Sequence, residues 1–196
     1  MLDTGTRKNV VVVGGGGAGA PIIKALSSKL DRARYNLILI TARPYYVHLV
    51  ATIRMVVTNE GSIEEKALIP YDTNFVNGNG TLKVGTVVGI EKNSEGKEGG
   101  EVILDSGERI SYAVLALAPG STWEGPLDFP NTKEETVEWL DKWRSTFEKA
   151  NNIVFVGGGA VGIGVFVYLV QPVSRTDDMV FRIFWRNKRY MARELS

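Results

Sequence analysis

The chain of 196 residues contains no cysteine and a single histidine, and its positive and negative charges nearly cancel. Each scarcity excludes a class of function. Without cysteine there can be no disulfide, no thiolate metal site and no redox-active dithiol, so any redox chemistry has to be carried by a cofactor. No metal site is expected. With 23 Lys and Arg against 22 Asp and Glu, the formal charge of +1 gives no general attraction to nucleic acid or to an anionic membrane. Small molecules are the expected partners. The longest apolar run, residues 163–170, is far below the roughly 18 to 20 residues that span a bilayer, so no transmembrane segment is expected. The N-terminus shows no apolar secretory stretch, and Leu2 excludes N-myristoylation. A cytoplasmic location follows as the expectation, with peripheral membrane association left open. The length allows one full domain with a core but not two of ordinary size.

Glycine, by contrast, is plentiful and concentrated at two places. The first is Val10-Val11-Val12-Val13-Gly14-Gly15-Gly16-Gly17-Ala18-Gly19, and the second is Ile153-Val154-Phe155-Val156-Gly157-Gly158-Gly159-Ala160-Val161-Gly162. Each reads as a strand followed by G-x-G-x-x-G, the turn that brings backbone amides up to a pyrophosphate and points a helix N-terminus at its charge. Two such turns suggest two dinucleotides, one able to reduce the other.

Around the first turn, residues 9–13 read as a buried parallel strand, 18–30 as a helix with Ile22, Ile23, Leu26 and Leu30 on one face, and 37–40 as a second buried strand. These make a right-handed βαβ opening. Residues 44–57 have mixed helical character. Short segments at 82–84, 87–91, 101–104 and 109–111, separated by Asn-Gly and Asp-Ser-Gly-Glu turn signals, read together as one antiparallel meander. Residues 114–118 read as a buried strand ended by Pro119-Gly120. Thr132 and Glu135 form a capping box, after which Val137, Leu140, Trp143 and Phe147 mark the apolar stripe of a connector helix, packed by Trp139 and Trp143. His48 is expected as a packed neutral imidazole beside Tyr45 and Tyr46. At Gly164 the pattern turns β-branched and aromatic, and the basic stretch from Ser174 onward is expected to be disordered or loosely packed. The predicted fold is α/β: a doubly wound Rossmann-like domain with a β-meander, plus the first β-α unit of a second nucleotide-binding domain. The predicted divisions are 1–130, 131–163 and 164–196.

Both glycine turns, together with Pro44-Tyr45-Tyr46-Val47-His48, Ala51-Thr52-Ile53-Arg54, Gly85-Thr86-Val87-Val88-Gly89-Ile90 and Tyr112-Ala113-Val114-Leu115-Ala116-Leu117-Ala118-Pro119-Gly120-Ser121, carry a family likeness. In order and spacing, residues 9–163 resemble the pyridine-nucleotide-dependent flavoprotein oxidoreductases of the two-dinucleotide type, most of all the apoptosis-inducing-factor-like branch with its ferroptosis-suppressor quinone reductases. The resemblance implies FAD on the first turn and NAD(P)H on the second, with hydride passed to the flavin and on to a quinone-like acceptor. It implies that Gly14, Gly15, Gly16, Gly17, Ala18 and Gly19 form the FAD pyrophosphate turn, that Arg54 supplies a charged side chain to FAD, and that the Val87 backbone holds the adenine edge. Gly157, Gly159 and Gly162 would serve the nicotinamide dinucleotide. No catalytic acid or base is implied, since hydride transfer depends on placing two rings together.

The chain departs from the family at several points. Thr41, followed by Ala42 and Arg43, stands where a ribose-binding carboxylate is expected, Ala118-Pro119-Gly120 lacks one backbone donor, and Gly164 replaces a Glu. Full members are roughly twice as long, being two nucleotide domains and a C-terminal domain. The resulting expectation is a truncated FAD-dependent oxidoreductase with weak or no turnover. The alternative is a non-catalytic nucleotide-binding or interaction module that self-associates through incomplete domain edges.

Overall fold

The computed structural model describes residues 7–94, 98–170 and 180–184. They belong to two compact units, one drawn from 1–48 and 68–122 and the other from 49–67 and 123–196.

The first unit is built on a parallel sheet. β1 (Lys8–Val13) leads into α1 (Gly19–Lys29) and β2 (Tyr35–Thr41), and β5 (Thr81–Val84) and β9 (Val114–Leu117) complete the sheet in the order β5-β2-β1-β9. The valines of β1 explain its central place. Val10 and Val12 face α1 and pack with Ile23, Leu37, Leu39 and Tyr71, while Val11 faces the opposite side and packs with Ile40, Val102 and Leu104. A strand covered on both faces needs apolar residues at every position, and burying each such side chain stabilises by about 1.5–3 kcal/mol. The second cover is the antiparallel meander of β6 (Val87–Lys92), β7 (Gly100–Leu104) and β8 (Arg109–Tyr112). A two-stranded hairpin, β3 (Tyr45–Val47) with β4 (Leu68–Pro70), completes the unit.

Three expectations change here. The 82–84 segment is not part of the meander: β5 pairs parallel with β2, from Ile38↔Thr81 to Thr41↔Val84. The cause lies just before it, where the Asn79 amide nitrogen donates to Ser27 O at 2.8 Å and Leu30 O at 3.1 Å, and the Ser27 hydroxyl donates to Asn79 O at 2.6 Å. These bonds fix the start of β5 at the C-terminal end of α1, the end from which β2 also departs, so both strands run the same way. β9 was expected to be buried, yet it pairs only with β1 among the described residues, leaving Val114 54% and Leu117 57% exposed. His48, expected to be packed, is exposed, with its ring edge-on to Tyr46 at 6.2 Å.

The second unit holds α2 (Leu49–Met55), α3 (Ile63–Ala67), α4 (Lys133–Lys149), β10 (Asn152–Val156), α5 (Ala160–Val170) and β11 (Val180–Phe184). The capping box forms: Thr132 Oγ1 accepts from Glu135 N at 3.2 Å and donates to Glu135 Oε2 at 2.8 Å. Trp139 and Trp143 meet edge-on at 6.0 Å along α4, as expected. Thr132→Ala is expected to cost about 1 kcal/mol, measured as earlier loss of helical ellipticity on urea denaturation; an unchanged midpoint would mean the cap is dispensable.

The expected break at Gly164 is also revised. α5 runs through it to Val170, and β11 pairs parallel with β10 from Asn152↔Val180 to Val156↔Phe184, so the single β-α unit becomes βαβ. Packing overrides local propensity here. Val165 and Leu169 are buried, and a Cβ at Gly164 would lie 3.0 Å from Ile53 Cγ2, which marks close approach of α5 to α2. Of the stretch from Ser174 onward, expected to be disordered or loosely packed, residues 180–184 form β11 and the rest lies outside the described residues.

Candidate functional site

The site begins where β1 stops. Gly14 adopts φ +93°, a conformation strained for any residue with a side chain, and its N–H donates to Ile40 O at 2.8 Å. A Cβ there would lie 2.0 Å from Ala118 O, and a Cβ on Gly19 would lie 1.7 Å from Gly14 O. Two glycines therefore allow the turn to fold tightly onto its own helix and onto β9. Gly16 and Gly17 are different in kind: both are exposed, and a Cβ on either would meet nothing within 4 Å among the described residues. Space for a ligand lies over these two.

The turn also has the electrostatics of an anion site. α1 carries no acidic residue in its first turn, and its N-cap, Ala18, offers no side-chain acceptor to the free amides. The N–H groups of Gly15, Gly16, Gly17 and Ala18 donate to no backbone carbonyl among the described residues. An uncapped helix end with an outward row of amides favours a diphosphate by geometry and by the helix dipole together.

The C-terminal ends of the strands gather the neighbouring candidates. Ala118 N donates to Val13 O at 2.8 Å, and Gly85 N donates to Thr41 O at 2.9 Å, so the Thr41 strand end, the turn leading to Val87 and the start of 118–120 lie beside the glycine turn. Val87 opens β6 opposite Leu104, with a bulge between Val87 and Gly89. Thr41 is buried at the end of β2. Burial pushes the Tyr71 phenol above its ordinary pKa, against the opposing effects of Thr41 and the nearby Arg43 guanidinium, so it stays a protonated donor. Arg54 belongs to the second unit. It pairs with Glu60 at 3.2 Å and lies over the Tyr168 ring at 6.0 Å.

A groove of about 360 Å³ opens beside Gly17, lined by Ala20, Lys24, Tyr46, Ile69 and Thr73 among others. A larger one of about 490 Å³, touching Asn9, Asn36 and Thr81, opens at the other ends of the strands. Ligands of open α/β sheets bind outside the carboxyl ends, which favours the smaller groove despite its size.

The second glycine turn repeats the geometry of the first. Gly157 takes φ +101°, a Cβ on Gly162 would lie 3.0 Å from Gly157 O, and Ile163 N donates to Gly159 O at 3.1 Å as Ala20 N donates to Gly16 O at 3.0 Å. The bracing differs. Among the described residues a Cβ on Gly157 would meet nothing within 4 Å, whereas at Gly14 it would strike Ala118. The residue that pattern reading missed is Tyr71: it lies beneath Gly15, far away in sequence, and no local motif marks it.

The model of the family described as pyridine nucleotide-disulphide oxidoreductase matches residues 8–175. The chain belongs to that family. The match extends past residue 163, where the family pattern had been read to end. The chain is 46% identical over 109 residues to the FAD-dependent oxidoreductase FVFD30 of Flammulina velutipes, covering 56% of this chain and 33% of that protein. Apoptosis-inducing factor homolog B of Dictyostelium discoideum is 29% identical over 178 residues, covering 89% of this chain and 42% of its own length. The apoptosis-inducing-factor-like membership read from the motifs is borne out. The chain spans about a third to two fifths of these relatives. Among solved structures, the sulfide:quinone oxidoreductase of the hyperthermophilic bacterium Aquifex aeolicus has the same fold at a TM-score of 0.54, with 22% identity over 76% of this chain and 34% of that one. Among the described residues no helix is long and apolar enough to cross a membrane.

Proposed function

We propose that the turn from Gly14 to Gly19 binds the pyrophosphate of FAD, and that the chain is the FAD-binding portion of an oxidoreductase that moves electrons from NAD(P)H through the flavin to a quinone-like acceptor. The carrying observation is the row of unpaired amides over Gly16 and Gly17 at an uncapped helix end without acidic residues. FAD, when bound, supplies the hydride acceptance that a chain without cysteine cannot. Gly14 and Gly19 close the turn, Gly16, Gly17 and Ala18 present the amides, and the strand end at Thr41 with the turn into Val87 borders the adenosine half. The relative named FAD-dependent oxidoreductase supports the cofactor, and the fold shared with a sulfide:quinone oxidoreductase supports the acceptor class.

For NAD(P)H, the matching geometry of Gly157, Gly159 and Gly162 supports the second turn as the donor site. A second reading rests on β9, whose outer edge has no strand partner among the described residues. That edge suits a non-catalytic module that self-associates.

Isothermal titration of the 196-residue chain with FAD and ADP tests the leading reading. Both ligands are expected to compete for one site, and ligand at about 100 times its Kd should stabilise the first unit by about 2.7 kcal/mol. NADH oxidation with a soluble quinone is expected to stay near the rate of free flavin. A well-folded sample that gives neither heat nor a melting shift with FAD and ADP overturns the assignment.

A further inference from the structure

We infer that Tyr71 is the positioning residue of the glycine turn, its O–H holding the Gly15 carbonyl inward so that the next amide, Gly16 N–H, points outward to the diphosphate. Tyr71 is only 3% exposed, and its hydroxyl donates to Gly15 O at 2.9 Å. The ring lies directly beneath Gly15: a Cβ added there would be 2.1 Å from Oη and 2.5 Å from Cζ. No cis peptide occurs among the described residues. Across a trans peptide the carbonyl and the following N–H point in opposite directions. A bond that holds Gly15 O toward the core therefore aims Gly16 N–H away from it, toward the open side where a Cβ on Gly16 would meet nothing within 4 Å among the described residues.

The Tyr71–Gly15 bond holds in advance the amide that meets the diphosphate. Pre-ordering of a donor is worth affinity because the ligand no longer has to orient it.

The inference rests on reading the first turn as a diphosphate site, and the test separates the two. The full chain and its Tyr71→Phe variant are titrated with FAD, ADP and adenosine. The variant is expected to lose about tenfold in affinity for FAD and ADP while its affinity for adenosine is unchanged, in line with the loss of one hydrogen bond acting on a phosphate donor. A variant that merely loosened the fold would lose all three alike, and that result overturns the inference. Equal ADP affinity in both chains also overturns it and leaves the FAD reading intact. Failure of the unaltered chain to bind FAD or ADP removes both. Nuclear magnetic resonance of the unaltered chain decides independently should the variant not fold: the Gly16 amide proton is expected to move downfield on adding ADP, and a static Gly16 resonance beside shifting neighbours would refute the positioning role.

Discussion

Gly14→Ala is expected to abolish FAD binding and to destabilise the first unit by about 3–5 kcal/mol, because strain and overlap act together. At φ +93° an alanine pays for a left-handed backbone, and its Cβ would sit 2.0 Å from Ala118 O and 2.7 Å from Ala118 C. These are main-chain atoms of the segment leaving β9, so they cannot rotate out of the way as a side-chain tip could. Relief requires β9 to separate from β1 or the turn to open, and either change moves Gly14 N–H off Ile40 O. Gly16→Ala makes the necessary contrast. Its Cβ meets nothing within 4 Å among the described residues, so stability should change by less than about 0.5 kcal/mol. The methyl nevertheless projects where the diphosphate must approach, and FAD affinity should fall by about 10- to 100-fold, equivalent to about 1.5–3 kcal/mol of charged hydrogen bonding. Thermal melts with and without FAD would separate the pair. If Gly16→Ala bound FAD as tightly as the unaltered chain, the cofactor would have to lie elsewhere than over the turn.

Much of this site was legible because its signals are local. A run of valines before G-x-G-x-x-G forces a strand, a turn and a helix within a few residues, and the Thr132–Glu135 pair starts a helix by a contact three residues long. The path of β5 was not legible, since it depends on Asn79 meeting Ser27 and Leu30 across the fold. A run such as Thr81–Val84 suits a meander or a parallel sheet equally by propensity. Tyr71 was hidden for the same reason: nothing near position 71 announces a partner at Gly15. The helical state of residues 164–170 ran against β-branched propensity and was decided by Ile53 and by burial of Val165 and Leu169, which are tertiary facts. His48 misled in the other direction, since an aromatic neighbourhood in sequence does not guarantee one in space beyond the single contact with Tyr46.

Arg144→Ala should produce the largest loss within the second unit, about 3 kcal/mol or more. The Arg144 side chain is only 12% exposed and joins three helices: Nε donates to Met55 O at 2.9 Å, the guanidinium reaches Glu64 at 3.1 Å, and Nη1 reaches Asp141 at 3.1 Å. Glu64 is itself 15% exposed, so removing the arginine leaves a largely dehydrated carboxylate and a helix-terminal carbonyl without their donor. Lysine at this position keeps the charge but not the fork, and Arg144→Lys should lose about half as much. The cost should also be conditional on its partner. In an Arg144→Met, Glu64→Gln double variant the carboxylate is gone, and the combined loss should fall short of the sum of the single losses by about 1 kcal/mol or more. Amide hydrogen exchange is the fitting measurement, because it reads α2 and α4 separately from the first unit. Exchange in both helices should accelerate by more than tenfold in Arg144→Ala while β1 and β2 keep their protection. Unchanged rates in α2 would mean that the Met55 contact carries no weight and that α4 is held by its Trp139, Trp143 and Phe147 face alone.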